Sequence, residues 1–150
     1  MAKDYSKSLA WNRKAAKQGH AVAQINLSSF LSQHGTGSAQ ELAEARRWLT
    51  AAAESGHPVA QYQLGMHFFS APDGERDFEA ALRWLTQAAD QGHAEAQFEV
   101  GCSYHQGQGV ERDVGRACEW LRLAAERGHL RAKSLLGAMY VEGYGAGAGG

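Results

Sequence analysis

Residues 77–109 read DFEAALRWLTQAADQGHAEAQFEVGCSYHQGQG. Ala81, Trp84 and Ala88 are spaced i, i+3, i+7, so they share one face of a helix. Gly92 and His93 interrupt that helix. Glycine there suits a left-handed C-terminal turn, and the short connection sends the chain back as an antiparallel helical hairpin. Ala96, Val100 and Tyr104, spaced i, i+4, i+8, form the inward stripe of the second helix. Gly107 and Gly109 end it, and Asp113 caps the helix that follows.

Outward from this stretch the same pattern recurs. The four tryptophans, Trp11, Trp48, Trp84 and Trp120, lie 37, 36 and 36 residues apart. Each is followed by paired alanines (Ala15-Ala16, Ala52-Ala53, Ala88-Ala89, Ala124-Ala125) and then by Gly-His at 19–20, 56–57, 92–93 and 128–129. Ala23, Ala60, Ala96 and Ala132 come next, with Leu27, Leu64, Val100 and Leu136 four positions later. A period of this length marks a repeat architecture in which each hairpin completes its neighbour's core. The expected boundaries are 4–37, 38–74, 75–109 and 110–143, with a flexible glycine-rich tail over 144–150. Asp4 and Asp77 are expected to cap helices as Asp113 does, and Ser38 with Glu41 has capping-box spacing. Pro72-Asp73-Gly74 breaks the chain between the second and third units. The tryptophans are expected in the core, at about 3–5 kcal/mol each, with Trp48 and Trp84 mattering more than Trp11.

These residues resemble the Sel-one-like repeat (SLR) family, relatives of the tetratricopeptide repeat. One register matches almost throughout: His93, Ala96, Gln97, Gly101, Tyr104, Gly107, Gly109 and Val110, then Asp113, Ala117, Trp120 and Ala124. The departures are Ser28 for a glycine of the second helix, Gly74 for a loop valine and Lys133 for a glutamine. The resemblance implies an all-α, right-handed superhelical solenoid of four helix-turn-helix units. It also implies a scaffold or adaptor for proteins or peptides, often bacterial, with the first helix of each hairpin lining a concave groove. A cysteine-rich branch of the family carries a disulfide in each repeat, and this sequence lacks those recurring pairs.

On that helix the positions −5, −2 and +2 from each tryptophan share a stripe. They are Ser6, Leu9 and Arg13; Ala43, Arg46 and Thr50; Glu79, Leu82 and Thr86; Gly115, Cys118 and Arg122. Arg47, Arg83 and Glu119 flank it. The expected partner-binding residues are Arg13, Arg46, Arg47, Thr50, Leu82, Arg83, Thr86, Cys118 and Arg122. Three arginines against one glutamate in the stripe favour an acidic partner or a C-terminal carboxylate, since guanidinium forks onto carboxylates. A merely solvated face is the competing reading. Leu135 and Met139 are expected to make the last repeat adhesive, so a homodimer through that end is a further expected contact.

The chain is 44% hydrophobic and 21% charged, with 15 basic and 16 acidic side chains and a net charge of −1. That balance supplies no general pull toward nucleic acid or anionic lipid. No apolar run is long enough to span a bilayer, and residues 1–11 lack a secretory core, so the chain as given is expected in the cytoplasm. A leader removed from a precursor would direct it to the periplasm or outside the cell. The Gly-His histidines recur once per repeat, about a helix diameter of 10 Å apart. Zinc ligands converge within about 2.0–2.3 Å of one ion, so these histidines are expected to cap helices. His34, His67 and His105, also one per unit, take no assigned role. Cys102 and Cys118 have no C-x-x-C spacing; Cys118, on the stripe, is expected to react with thiol reagents. No Walker, G-x-S-x-G or H-E-x-x-H motif occurs, so no cofactor, metal or catalytic residue is assigned. The alternative function, an enzyme acting on a cell-wall or small-molecule substrate in the groove, needs an acid, base or nucleophile converging in one pocket.

Overall fold

The computed structural model describes residues 2–72, 74 and 76–143, with side chains from residue 4 onward. Residues 144–150, the expected tail, and Asp73 lie outside the described residues. The described chain is all-helical: α1 Ala2–Lys17, α2 Ala21–His34, α3 Ala39–Glu54, α4 Pro58–Ser70, α5 Phe78–Asp90, α6 Ala94–Gln106, α7 Val114–Glu126 and α8 Leu130–Val141. Within the hairpins that the repeat anticipates, α1 packs on α2, α5 on α6 and α7 on α8. None is long and apolar enough to cross a membrane.

Local chemistry sets the ends of these helices. Gly19, Gly56, Gly92 and Gly128 all have positive φ, at 85°, 98°, 90° and 90°. At Gly92 the turn is a full Schellman motif: Gly92 N–H donates to Ala89 O at 2.9 Å and His93 N–H to Ala88 O at 3.2 Å. The Gly56 and Gly128 turns repeat both bonds. Asp77 accepts from Ala80 N–H and Asp113 from Arg116 N–H, as N-caps do. Asp4 does not cap: α1 begins two residues before it, which leaves Asp4 inside the first turn. The Ser38 box is half formed. Ser38 Oγ accepts from Glu41 N–H, but the Glu41 carboxylate turns to Thr36, accepting from its N–H at 2.6 Å and its hydroxyl at 2.7 Å.

The chain divides into two compact units, residues 1–64 and 65–150, the boundary falling inside α4. In the first, α2 and α3 make the most extensive helix pair, closing Ala16, Leu27, Leu31 and Ala45 into a core with Leu9 and Trp48 against it. In the second, α6 packs on both α5 and α7. Phe98, Ala117, Cys118, Leu121, Ala124, Ala132, Leu136 and Met139 form its largest described core cluster.

The tryptophans are not the core. Trp11 is 70% exposed, and Trp48, Trp84 and Trp120 are half-buried. The residue one step further on is what goes inside: Leu49, Leu85 and Leu121 are essentially inaccessible. In α3 the buried set is Ala45, Leu49, Ala52 and Ala53. Their mean direction on the helical wheel falls near Leu49, which leaves Trp48 on the flank. A recurring glycine in the preceding helix receives this leucine. A Cβ on Gly65 would stand 2.8 Å from Leu85 Cγ, and one on Gly101 2.8 Å from Leu121 Cγ. Ser28, buried, takes the equivalent place in the first repeat.

A second ladder is polar. Gln24, Gln61 and Gln97 are buried, and each donates from Nε2 at 3.2 Å to a carbonyl at the end of the preceding helix, Ala16, Ala53 and Ala89 respectively. Each of these carbonyls also accepts from the N–H of the turn glycine; the glutamine amide is a second donor that ties the two arms of the first three hairpins together. The last repeat has Lys133 here, and its side chain is exposed. Met139, expected to be adhesive, is buried in its own core at 1% exposure, while Leu130, Tyr140 and Val141 are the exposed large apolar groups of α8. Met139 follows the buried stripe of Ala132 and Leu136, which turns it inward.

Candidate functional site

In the first unit α1 and α3 flank a cleft of about 490 Å³ lined by Arg13, Lys17, Glu44, Arg47, Trp48 and Ala51. Three cations and one carboxylate surround the flank of an indole. Helical spacing assembles the set: Arg13 and Lys17 are i, i+4 on α1, and Glu44, Arg47, Trp48 and Ala51 are i, i+3, i+4, i+7 on α3. The Arg13 guanidinium forks onto Glu44, Nε to Oε1 at 2.8 Å and Nη2 to Oε2 at 2.7 Å. Trp48 Nε1–H also reaches Glu44 Oε1, at 3.4 Å. The hydrogen bonds from Arg13 dominate in holding the Glu44 carboxyl below its ordinary range. Burial opposes them; the Trp48 bond and the charges of Arg13 and Arg47 assist. The same bonds raise Arg13. The side chains are 40% and 15% exposed, so water screens the pair and its contribution to stability is about 1 kcal/mol or less.

In the second unit Glu79, Leu82, Arg83, Thr86, Gln87 and Gly109 line a cleft of about 330 Å³. Four of these are stripe or flank positions named from the sequence. Residues of the stripe and its flank line a cleft in each unit: Arg13 and Arg47 in the first, Leu82, Arg83 and Thr86 in the second. Leu82 is only 8% exposed and serves as cleft floor. Arg46 is exposed on α3 and Thr50 half-buried; Thr50 Oγ1 donates to Arg46 O at 2.8 Å, within its own helix. Arg122 is exposed and reaches Tyr140 OH at 3.5 Å.

Cys118 departs from expectation. It is 2% exposed, in the core of the second unit, and burial raises its thiol above the ordinary range. Low access and a raised thiol both oppose attack by thiol reagents. On α7, Ala117, Cys118, Leu121 and Ala124 are all buried, so the inward face covers the −2 position. Burial first, and then the charge of Glu99, pushes Cys102 up to about 11.

The repeat histidines divide. His93 Nδ1 accepts from Ala96 N–H at 3.2 Å and His129 Nδ1 from Ala132 N–H at 3.1 Å, so both cap. His129 Nε2 lies 3.0 Å from Glu95 Oε2, and its ring stacks on Phe98 with centroids 4.6 Å apart. His20 makes no side-chain cap bond, and His57 Nδ1 is buried without a hydrogen-bond partner. Among the described residues no three His, Cys, Asp or Glu side chains gather as metal ligands.

Sequence reasoning missed Glu44 and Lys17. The signal for Glu44 was its place four before Trp48, where the other repeats carry Lys7, Ala80 and Arg116. A singular residue is invisible to a search for recurrence.

A Sel1 repeat family model matches residues 1–20, 21–57, 58–93 and 94–129. A solved Sel1 repeat protein from Oxalobacter formigenes is 35% identical, with TM-score 0.78 over 88% of this chain and 98% of that one. A protective antigen of uropathogenic Escherichia coli with an SLR fold is 36% identical, with TM-score 0.79 over 93% of this chain and 30% of its own length. The Helicobacter pylori cysteine rich protein B, 19% identical with TM-score 0.67 over 89% of this chain and 96% of that one, shares the fold. Among curated proteins the sequence finds no significant match. The matched repeats, the paired helices and the structural neighbours agree: the chain belongs to the Sel1 repeat family of helical-repeat proteins, which are generally protein-interaction scaffolds and typically non-enzymatic.

Proposed function

We propose that this protein is a peptide-binding adaptor whose α1–α3 cleft receives an acidic segment or a chain-terminal carboxylate of its partner. The observation that carries the reading is the cleft's composition: Arg13, Lys17 and Arg47 around Trp48, with Glu44 the one opposing charge among the lining residues. Guanidinium and ammonium groups attract carboxylates, and a half-buried indole adds rigid apolar contact area. The α5 cleft, with Leu82, Arg83 and Thr86, is a second and weaker contact site on this reading, since Glu79 offsets its arginine. Arg46, Thr50 and Arg122 contribute at the margins.

Calorimetric titration with N-acetylated hexaglutamate tests the reading at low and at moderate salt. Binding is expected in the low-salt buffer and should weaken as salt screens the charges. Lys17→Glu with Arg47→Glu should abolish it, while circular dichroism stays unchanged because Arg47 is exposed and Lys17 is solvent-facing. Equal affinity in the double variant would remove the cleft from the proposal.

A further inference from the structure

We infer that Glu44 is a built-in stand-in for the partner's carboxylate, holding Arg13 until the partner displaces it, and so sets the affinity threshold of the α1–α3 cleft. The inference rests on the adaptor reading above. Its independent support is geometric. Glu44 makes with Arg13 the two-pronged contact that an incoming carboxylate would seek, at 2.8 and 2.7 Å. Trp48 Nε1–H is turned to the same oxygen at 3.4 Å. The donors come from two helices 31 residues apart in sequence for the arginine pair, and they converge inside the cleft rather than on a bare surface.

The fold does not require a carboxylate at this place. The equivalent positions in the other repeats are Lys7, Ala80 and Arg116, with no acidic residue among them. The pair is also open enough for exchange, with the Arg13 side chain 40% exposed. Displacing Glu44 trades one carboxylate for another on the same fork; the charge of Arg47 already acts on Glu44, and Lys17 with Arg47 can meet the further carboxylates that a multiply charged segment brings and Glu44 does not. A weakly acidic segment gains too little to open the pair. A segment with several carboxylates engages Lys17 and Arg47 as well, so the pair acts as a filter on the partner's charge.

The test compares wild type, Glu44→Gln and Glu44→Ala in calorimetric titrations with N-acetylated hexaglutamate and with a peptide carrying a single glutamate. Far-ultraviolet circular dichroism is recorded for each variant as a check on folding. Removing the competitor should tighten hexaglutamate binding by about tenfold, equivalent to 1.4 kcal/mol. It should tighten the single-glutamate peptide by a larger factor, because that peptide has less to offset the pair. In wild type, the Arg13 Nε–H resonance should shift on saturation with hexaglutamate as its carboxylate partner changes. Wild-type binding with no gain in either variant would overturn the inference and leave the adaptor reading standing. Binding by the variants alone would support it in its strongest form. No binding by any of the three proteins would overturn both.

Discussion

A Cβ on Gly101 would stand 2.8 Å from Leu121 Cγ and 3.3 Å from the Ala117 carbonyl oxygen, while one on Gly137 would meet nothing within 4 Å. Leu121 is wholly buried and has nowhere to go. Gly101→Ala should therefore cost about 1–3 kcal/mol through overpacking. Gly137→Ala should gain about 0.5–1 kcal/mol, since its helix sheds glycine's entropy without a clash. Urea midpoints of the two variants check this; shifts of the same sign would remove the glycine–leucine contact as the reason. The glutamine ladder allows a similar contrast. Gln97→Ala should lose about 1 kcal/mol with its bond to Ala89 O. Lys133→Gln should gain a fraction of that by adding the missing rung, and an unchanged melting temperature would argue against it. Both ladders recur in the sequence, but recurrence alone does not say that the leucine rather than the tryptophan is the buried partner.

Helix ends are where local chemistry is most readable, and the histidine caps give them a dependence on pH. His93 sits at the start of α6, half-buried, with Nδ1 accepting from Ala96 N–H. Burial lowers its pKa from 6.5, opposed by the charge of Glu95. The folded state thus prefers the neutral ring, and the unfolded state takes up the proton first as pH falls. His93 therefore contributes stability that is full above about 6.5 and declines as pH drops toward its folded-state value. His93→Asn retains a good cap without titrating. Thermal unfolding of wild type should lose more stability between pH 8 and pH 5 than the variant does, and parallel curves would contradict the assignment. The turn glycines and the caps at Asp77 and Asp113 were legible because each depends on residues within one turn. Asp4 and Glu41 were misplaced because a helix can start earlier than its first capping residue, and a carboxylate can prefer another donor nearby.

In repeat proteins stability is a sum of hairpin terms and neighbour contacts, and here such contacts include Leu85 against Gly65 and Leu121 against Gly101. Leu85→Ala should cost about 2–5 kcal/mol. Trp11→Ala, at an exposed ring, should stay within about 0.5 kcal/mol. Chemical denaturation of both variants measures the difference, and comparable losses would restore the tryptophans to the core. The Lys14 ammonium lies 5.6 Å from the Trp11 ring centroid, an exposed contact too weak to alter that ranking.

The amino-acid sequence by itself determined the repeat, the helical hairpins and most of their turns, because periodicity and capping act over a few residues. It also placed Arg13, Leu82 and Thr86 on one stripe, with Arg47 and Arg83 flanking it. Only the tertiary structure decided that Cys118 and Met139 face inward and that Arg13 is joined to Glu44. Those outcomes depend on how a face is turned toward a neighbouring helix and on a contact spanning 31 residues. Neither leaves a periodic trace in the chain.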